Sequence, residues 1–320
     1  MSSEKIQAYY DFLAAKAQVA DDGDTSVQAS GLHPSLFPHQ RDAILWALRR
    51  RKALIAALFG LGKTRMQIEL LRQVQIRTGG KVLVICPLGV RHQFIHEDGP
   101  AMGVKFQYVR DDAEALAADT PFLITNYERV RDGNLTADFL SEHIEAVSLD
   151  EGAILGNLGT LTQQNFSTIL RNIPYRWVAT ATPAPNDYKQ LIYFADFLDV
   201  MDDGQALTRW FGRNPDKAGD LQLLPHMEKE FWLWVASWAL FINTPSDLGY
   251  DDTGYVMPEL EIVWHRIEAD HEKAWDLKNE FGQHYLFKDT AAGVTQALKE
   301  KRDSLDARIS EAFATVDAIA

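Results

Sequence analysis

Residues 54–69, LIAALFGLGKTRMQIE, constrain what this chain can fold into more than any other stretch. An apolar run, Leu54 to Leu58, meets the turn Gly60-Leu61-Gly62. Lys63 and Thr64 follow, and then a helical pattern with Met66, Ile68, Leu70 and Leu71. A strand that passes through a glycine turn into a helix aims backbone N–H groups and the positive end of the helix dipole at one spot, which suits a phosphate. A lysine there reaches the β- and γ-phosphates, and the threonine hydroxyl takes Mg²⁺. The strict pattern G-x-x-x-x-G-K-[ST] wants glycine where Ala57 stands, so the match is one residue short. A glycine-rich turn with an incidental lysine is the bland alternative.

The neighbouring sequence supports a parallel sheet. The segment 81–87, KVLVICP, is an apolar run without polar alternation, the pattern of a strand buried on both faces. Further strands are expected at 106–109 (weak), 121–126, 146–149 and 177–179, spaced by helical segments, which predicts crossover connections. Polar residues of interest stand just past the strand ends: Tyr127-Glu128-Arg129, Asp150-Glu151 and Thr180-Ala181-Thr182-Pro183. Open α/β sheets bind ligands at that edge. Asp150-Glu151 after an apolar strand is a Walker B arrangement, with Asp150 holding Mg²⁺ through water and Glu151 orienting an attacking water. A lone Asp-Glu pair would more often be a helix cap with its first-turn acid. The glycine loop upstream favours the chemical reading.

At 320 residues the chain is expected to hold one large α/β domain and a second, partial one. The boundaries read as an N-terminal helix and acidic linker (1–31), the main α/β domain (32–200), an aromatic-rich helical subdomain (201–252) and a final segment (253–320) with a strand at 258–267 and helices at 271–287 and 292–320. Trp210, Phe211, Phe231, Trp232, Trp234, Trp238 and Phe241 read as the subdomain's core rather than as a base-stacking platform. A net charge of −13 argues against non-specific coating of nucleic acid. Arg49, Arg50, Arg51 and Lys52 form the densest basic run, read as a helix end complementing its dipole. No ~18-residue apolar run and no signal-peptide pattern occurs. With one cysteine, Cys86, there is neither an intrachain disulfide nor a thiolate metal cluster, and a reducing cytoplasm is the natural setting.

Six segments in order resemble the motifs of superfamily-2 helicases of the DEAD/DEAH-like kind, in particular the Swi/Snf-like branch. FPHQ (37–40) looks like the glutamine motif and GLGKT (60–64) like motif I. VLVICPLGVRHQF (82–94) is similar to motif Ia, and ITNYERV (124–130) to motif Ib. SLDEGAILGN (148–157) stands where motif II belongs, and ATATPAPN (179–186) looks like motif III. The later stretch 245–262 resembles phage and prophage members, which often neighbour DNA methylase genes. The resemblance implies a P-loop NTPase fold of RecA-like type, with helices on both faces of a parallel sheet. It also implies an ATP- and Mg²⁺-dependent helicase-type hydrolase. Phe37, His39, Gln40, Gly60, Leu61, Gly62, Lys63 and Thr64 would bind ATP, with Gln40 reading adenine. Thr64 and Asp150 would hold Mg²⁺. Lys63, Asp150 and Glu151 would be catalytic, with Glu151 as base. Pro87, Arg91, Asn126 and Tyr127 would lie along nucleic acid, double-stranded DNA being favoured, while Thr180 and Thr182 would couple it to the nucleotide.

Two departures stand out: Gly152-Ala153 replaces the usual Ala-His of motif II, and Leu58-Phe59 occupies the place of the acidic residue common before motif I. After Asp252 no Q-x-x-G-R-x-x-R motif with an arginine finger is found, so the second lobe reads as incomplete and hydrolysis by this chain alone as weak. A DNA methylase or a second-lobe polypeptide are the implied partners. The competing expectation is a non-catalytic, nucleotide-binding remnant attached to a phage DNA-modification system. A third, a small-molecule phosphotransferase, has no need of TATPAPN or FPHQ.

Overall fold

Seven strands form one sheet in which every pairing is parallel. The structure is a computed structural model and describes residues 31–152, 166–184, 187–214, 220–256, 262–267, 301–302 and 304–319. The strands are β1 (Lys52–Ala57), β2 (Lys81–Cys86), β3 (Gln107–Tyr108), β4 (Phe122–Asn126), β5 (Ile144–Asp150) and β6 (Tyr175–Thr180), with β9 (Ala239–Ile242) as the seventh. Their order across the sheet is β3-β4-β2-β5-β6-β1-β9. Between β6 and β9 in the chain, β7 (Phe211–Arg213) and β8 (Leu221–Leu223) make a separate antiparallel hairpin.

The central strands are buried on both faces, and for that reason they read as continuous apolar runs. Alternate side chains feed two cores. Leu54, Leu83, Val147, Leu149 and Val178 face one side; Ala53, Ile55, Val82, Val84, Cys86 and Trp177 face the other. The second core is covered by α1 (Pro38–Arg50) and α2 (Lys63–Thr78), whose apolar faces carry Ile44, Leu48, Ile68 and Leu71. The first is closed by α3 (Asp112–Leu116), α4 (Tyr127–Arg131), α5 (Ala137–His143), α6 (Lys189–Phe197), α7 (Asp203–Trp210) and α8 (Glu228–Trp238).

The aromatic stretch expected as a subdomain of its own is part of this body. Trp210, Phe231, Trp234 and Trp238 are fully buried in the same cluster as the sheet residues Leu54 and Val178, with Trp210 stacked on Trp234 at 4.3 Å. Helix α8 runs straight into β9, which pairs with β1. A helix that continues into a strand of the sheet is tied to it. By contacts the chain divides instead into residues 1–256 and 257–320.

The basic run is structural. Arg49 and Arg50 lie in the last turn of α1, Arg50 donates to the Ser237 carbonyl at 2.7 Å, and Lys52 pairs with Asp199 at 2.8 Å. In the second unit, α9 (Leu305–Ile319) lies within the helix expected at 292–320. His265 meets Glu311 there at 2.8 Å. The strand expected at 258–267 is not formed over its described part, 262–267, where Trp264 is 90% exposed and no partner strand is found among the described residues. The helices expected at 4–20 and 271–287 lie outside the described residues. Among those described, no helix is long and apolar enough to cross a membrane.

Candidate active site

The carboxyl ends of β1, β5 and β6 build the site. Between β1 and α2 the chain turns through Gly60 (φ 85°) and Gly62 (φ 81°), a left-handed backbone that glycine adopts without steric cost. Gly62 has a second reason: a Cβ there would meet Gln40 Nε2 at 2.3 Å. The loop is pinned on both flanks. Leu58 N–H donates to the Ile242 carbonyl of β9 at 2.9 Å, and the Leu61 side chain is buried in the core. Lys63 Nζ donates to the Ala57 carbonyl at 2.9 Å and lies 4.9 Å from the centre of the exposed Phe59 ring. Burial pushes the Lys63 ammonium below its usual range, and the charges of Glu151 and Asp150 pull it back up. Thr64 follows in the first turn of α2.

At the start of α1, Gln40 clamps this loop. Its Nε2 donates to the Leu61 carbonyl at 3.0 Å and its Oε1 accepts from Phe37 N–H at 3.0 Å. His39 is 2% exposed, its ring stacked on Phe37 at 6.1 Å and met edge-on by Tyr255 at 5.2 Å. Burial lowers its pKa. Phe37, 51% exposed, is the member of this group that presents a face outward.

Asp150 and Glu151 stand at the end of β5. Asp150 Oδ1 accepts from Gln67 Nε2 at 2.6 Å, and the Asp150 carbonyl accepts from the buried Tyr127 hydroxyl at 2.7 Å. Burial pushes the Asp150 carboxyl up; the Gln67 hydrogen bond opposes this, Glu151 adds to it and Lys63 subtracts. Glu151 takes φ 52°, a strained value for a residue with a side chain, and its Oε1 accepts from Thr180 Oγ1 at 3.3 Å. Thr180 is buried at the end of β6, and its hydroxyl oxygen accepts from Thr182 N–H at 3.2 Å. Motif III therefore touches Glu151 directly.

The residues read along nucleic acid divide. Arg91 is exposed, with its guanidinium 4.9 Å from the Tyr108 ring centre, and Pro87 follows β2. Asn126 is buried and accepts from the Tyr108 hydroxyl at 2.7 Å while donating to Glu128. Tyr127 points under the site to Asp150 and offers no face to a surface ligand. The sequence reading missed Gln67 and Ser148. The available signal was a polar residue on the core-facing side of α2, among Met66, Ile68, Leu70 and Leu71.

Residues 39–218 match the family of SNF2-related domains. Among solved structures, the chain is similar to the Sulfolobus solfataricus SWI2/SNF2 ATPase core in complex with dsDNA. The two share 20% identity at a TM-score of 0.54, over 69% of this chain and 47% of that one. It is also similar to the Sulfolobus solfataricus SWI2/SNF2 ATPase core domain, with 21% identity and a TM-score of 0.53, over 73% and 49%. The shared feature is the RecA-like α/β fold, and the chain spans about half the length of these structures. No curated sequence matches it.

Proposed function

Since the chain belongs to the SNF2-related domain family, we propose that it is the ATP-binding lobe of a DNA-dependent ATPase that moves on nucleic acid when a complete second lobe is present. The observation that carries this reading is the convergence of a glycine loop, Lys63 and the Asp150-Glu151 pair on one end of the sheet. Lys63 and the loop N–H groups bind the β- and γ-phosphates. The Thr64 hydroxyl and the Asp150 carboxylate are the hard oxygen donors that Mg²⁺ takes, and the ion supplies charge neutralisation on the phosphates. Glu151, steadied by Thr180 at 3.3 Å, accepts the proton of the attacking water. Phe37 offers its exposed ring to the base, and Gln40 keeps that ring in register with the loop.

One of the related structures is an ATPase core in complex with dsDNA; duplex DNA is the proposed track here, with Arg91 toward its phosphates. The resemblance of 245–262 to phage members extends the proposal to a partner, either a DNA methylase or a second-lobe polypeptide. An arginine finger on such a lobe is worth about 10³ to 10⁵ in rate, so this chain alone turns over weakly.

The test is steady-state ATP hydrolysis and ATP binding by this chain, with and without duplex DNA, beside Lys63→Ala and Glu151→Gln. Binding that is lost in Lys63→Ala, with weak turnover lost in Glu151→Gln, is the expected result. No ATP binding by the unmodified chain overturns the nucleotide reading. Robust DNA-stimulated turnover overturns the need for a second lobe.

A further inference from the structure

Helix α2 begins at the loop lysine and packs against β5. One turn in, it carries an amide, Gln67, at 0% exposure. A buried amide is costly unless both its ends are bonded. Here both are, and both bonds lead to β5. Nε2 donates to Asp150 Oδ1 at 2.6 Å, and Oε1 accepts from Ser148 Oγ at 2.7 Å. The two contacts fix the orientation of the amide. Turned over, it would oppose its carbonyl oxygen to the carboxylate, two acceptors face to face. The carboxylate selects this orientation, and the Ser148 hydroxyl, donating to Oε1, anchors the other end of the amide.

Thr64 lies three residues before Gln67, on the same face of the same helix. The helix that presents the threonine hydroxyl thus also grips the aspartate from the opposite element. We propose that Gln67 is a positioning residue for the Mg²⁺ site, holding the Asp150 carboxylate in one orientation relative to Thr64 so that the two metal donors move as one piece. The proposal rests on the reading of Lys63, Thr64 and Asp150 as a nucleotide site. A residue that only filled space between α2 and β5 would be apolar, like Met66, Ile68, Leu70 and Leu71 in the same helix. The amide is selected by the carboxylate it meets.

The experiment is ATP binding by the full chain, by titration calorimetry, in EDTA and across a Mg²⁺ series. The variants are Gln67→Leu, which keeps the volume and removes the donor, and Ser148→Ala, which removes the anchor of Oε1 and loosens the amide. Partners one shell out from a metal change its affinity about 10- to 100-fold. Gln67→Leu is therefore expected to need about 10-fold more Mg²⁺ to tighten ATP binding, with affinity in EDTA unchanged. Ser148→Ala is expected to shift in the same direction by a smaller factor, and it carries the test by itself if Gln67→Leu does not fold. Equal weakening in EDTA and in Mg²⁺ would mean a structural role and overturns the proposal. So does an unchanged Mg²⁺ requirement in Gln67→Leu or, where that variant does not fold, in Ser148→Ala. Lys63→Ala separates the two levels: if it binds ATP like the unmodified chain, the nucleotide reading has failed, and not only the role of Gln67.

Discussion

Replacing Gly152 by alanine asks whether the departure from the family's motif II is imposed by packing. Gly152 follows Asp150-Glu151, and a Cβ added there would lie 2.2 Å from Val178 Cγ1 and 3.4 Å from Phe194 Cε1. Both neighbours are fully buried, and Val178 is β-branched in the middle of β6, with little rotamer freedom to retreat. Gly152 does not use a left-handed backbone, so the effect is steric alone. Forcing one methyl into such a core costs about 1–3 kcal/mol. For a body of this size 1 kcal/mol lowers Tm by about 2–4 °C, so Gly152→Ala is expected to melt about 2–12 °C lower. Val178→Ala by itself removes two buried methyl groups and costs about 2 kcal/mol. The double variant places the new methyl in the space that Val178 Cγ1 vacates. It is therefore expected to be about as stable as Val178→Ala alone, a coupling equal to the whole Gly152→Ala cost of about 1–3 kcal/mol. The assay is urea unfolding of all four proteins by circular dichroism. A Gly152→Ala protein as stable as the parent, with the cycle additive to within about 0.5 kcal/mol, would refute the argument that Val178 dictates glycine at this position.

Three further outcomes follow from the same geometry. Gly62→Ala combines a positive φ with a clash against the Gln40 amide; ATP affinity should fall at least as far as in Gln40→Ala, read by the same calorimetry. Tyr127→Phe deletes a buried hydrogen bond to the Asp150 carbonyl and should cost about 0.5–1.5 kcal/mol in urea; a neutral result would show that the contact is not formed. Burial first, and then the Asp150 charge, pushes the Cys86 thiol up to about 12 from 9.0. The folded state therefore keeps a proton that the unfolded chain releases above pH 9, so this stability is intact below pH 9 and is lost as pH rises toward 12. The slope is about 1.4 kcal/mol per pH unit. Between pH 9 and 10 the parent should lose more stability than Cys86→Ala, and a thiol reagent at pH 8 should label Cys86 only on unfolding.

How much of this was legible in the residues depends on how local the signal is. The runs at 82–86, 122–126 and 175–180 lack polar alternation because both faces of those strands are covered, a fact each strand records by itself. The glycine loop is equally local, since φ 85° and 81° need glycine whatever lies around them. Strand β9 left no such mark. Its four residues continue from Trp238 with no glycine or proline between, and what makes them a strand is the unpaired edge of β1. Gln67 was visible in α2 only as a polar residue among apolar ones; what it bonds was hidden, because its partner Asp150 is 83 positions away. The strand expected at 258–267 is the reverse case: its pattern suits a strand, but over 262–267 no neighbouring strand is there among the described residues.

The place of β1 in the sheet sets an order of biosynthesis. It is made first of the seven strands yet lies between β6 and β9, among the last, with Leu54 registered against Val178 on one side and Ala239 on the other. Those partners are synthesised roughly 120 and 185 positions downstream, which at about 5–20 residues per second leaves the apolar segment without a partner for about 6–25 s and with one edge open for about 10–40 s. Strands β2, β4 and β5, in contrast, find one another early, since β2 pairs with both of the others. The half of the sheet without the glycine loop therefore has all its strands available first. The strand that bears the glycine loop is enclosed last, and the loop gains its bond from Leu58 to β9 only once Ile242 has emerged.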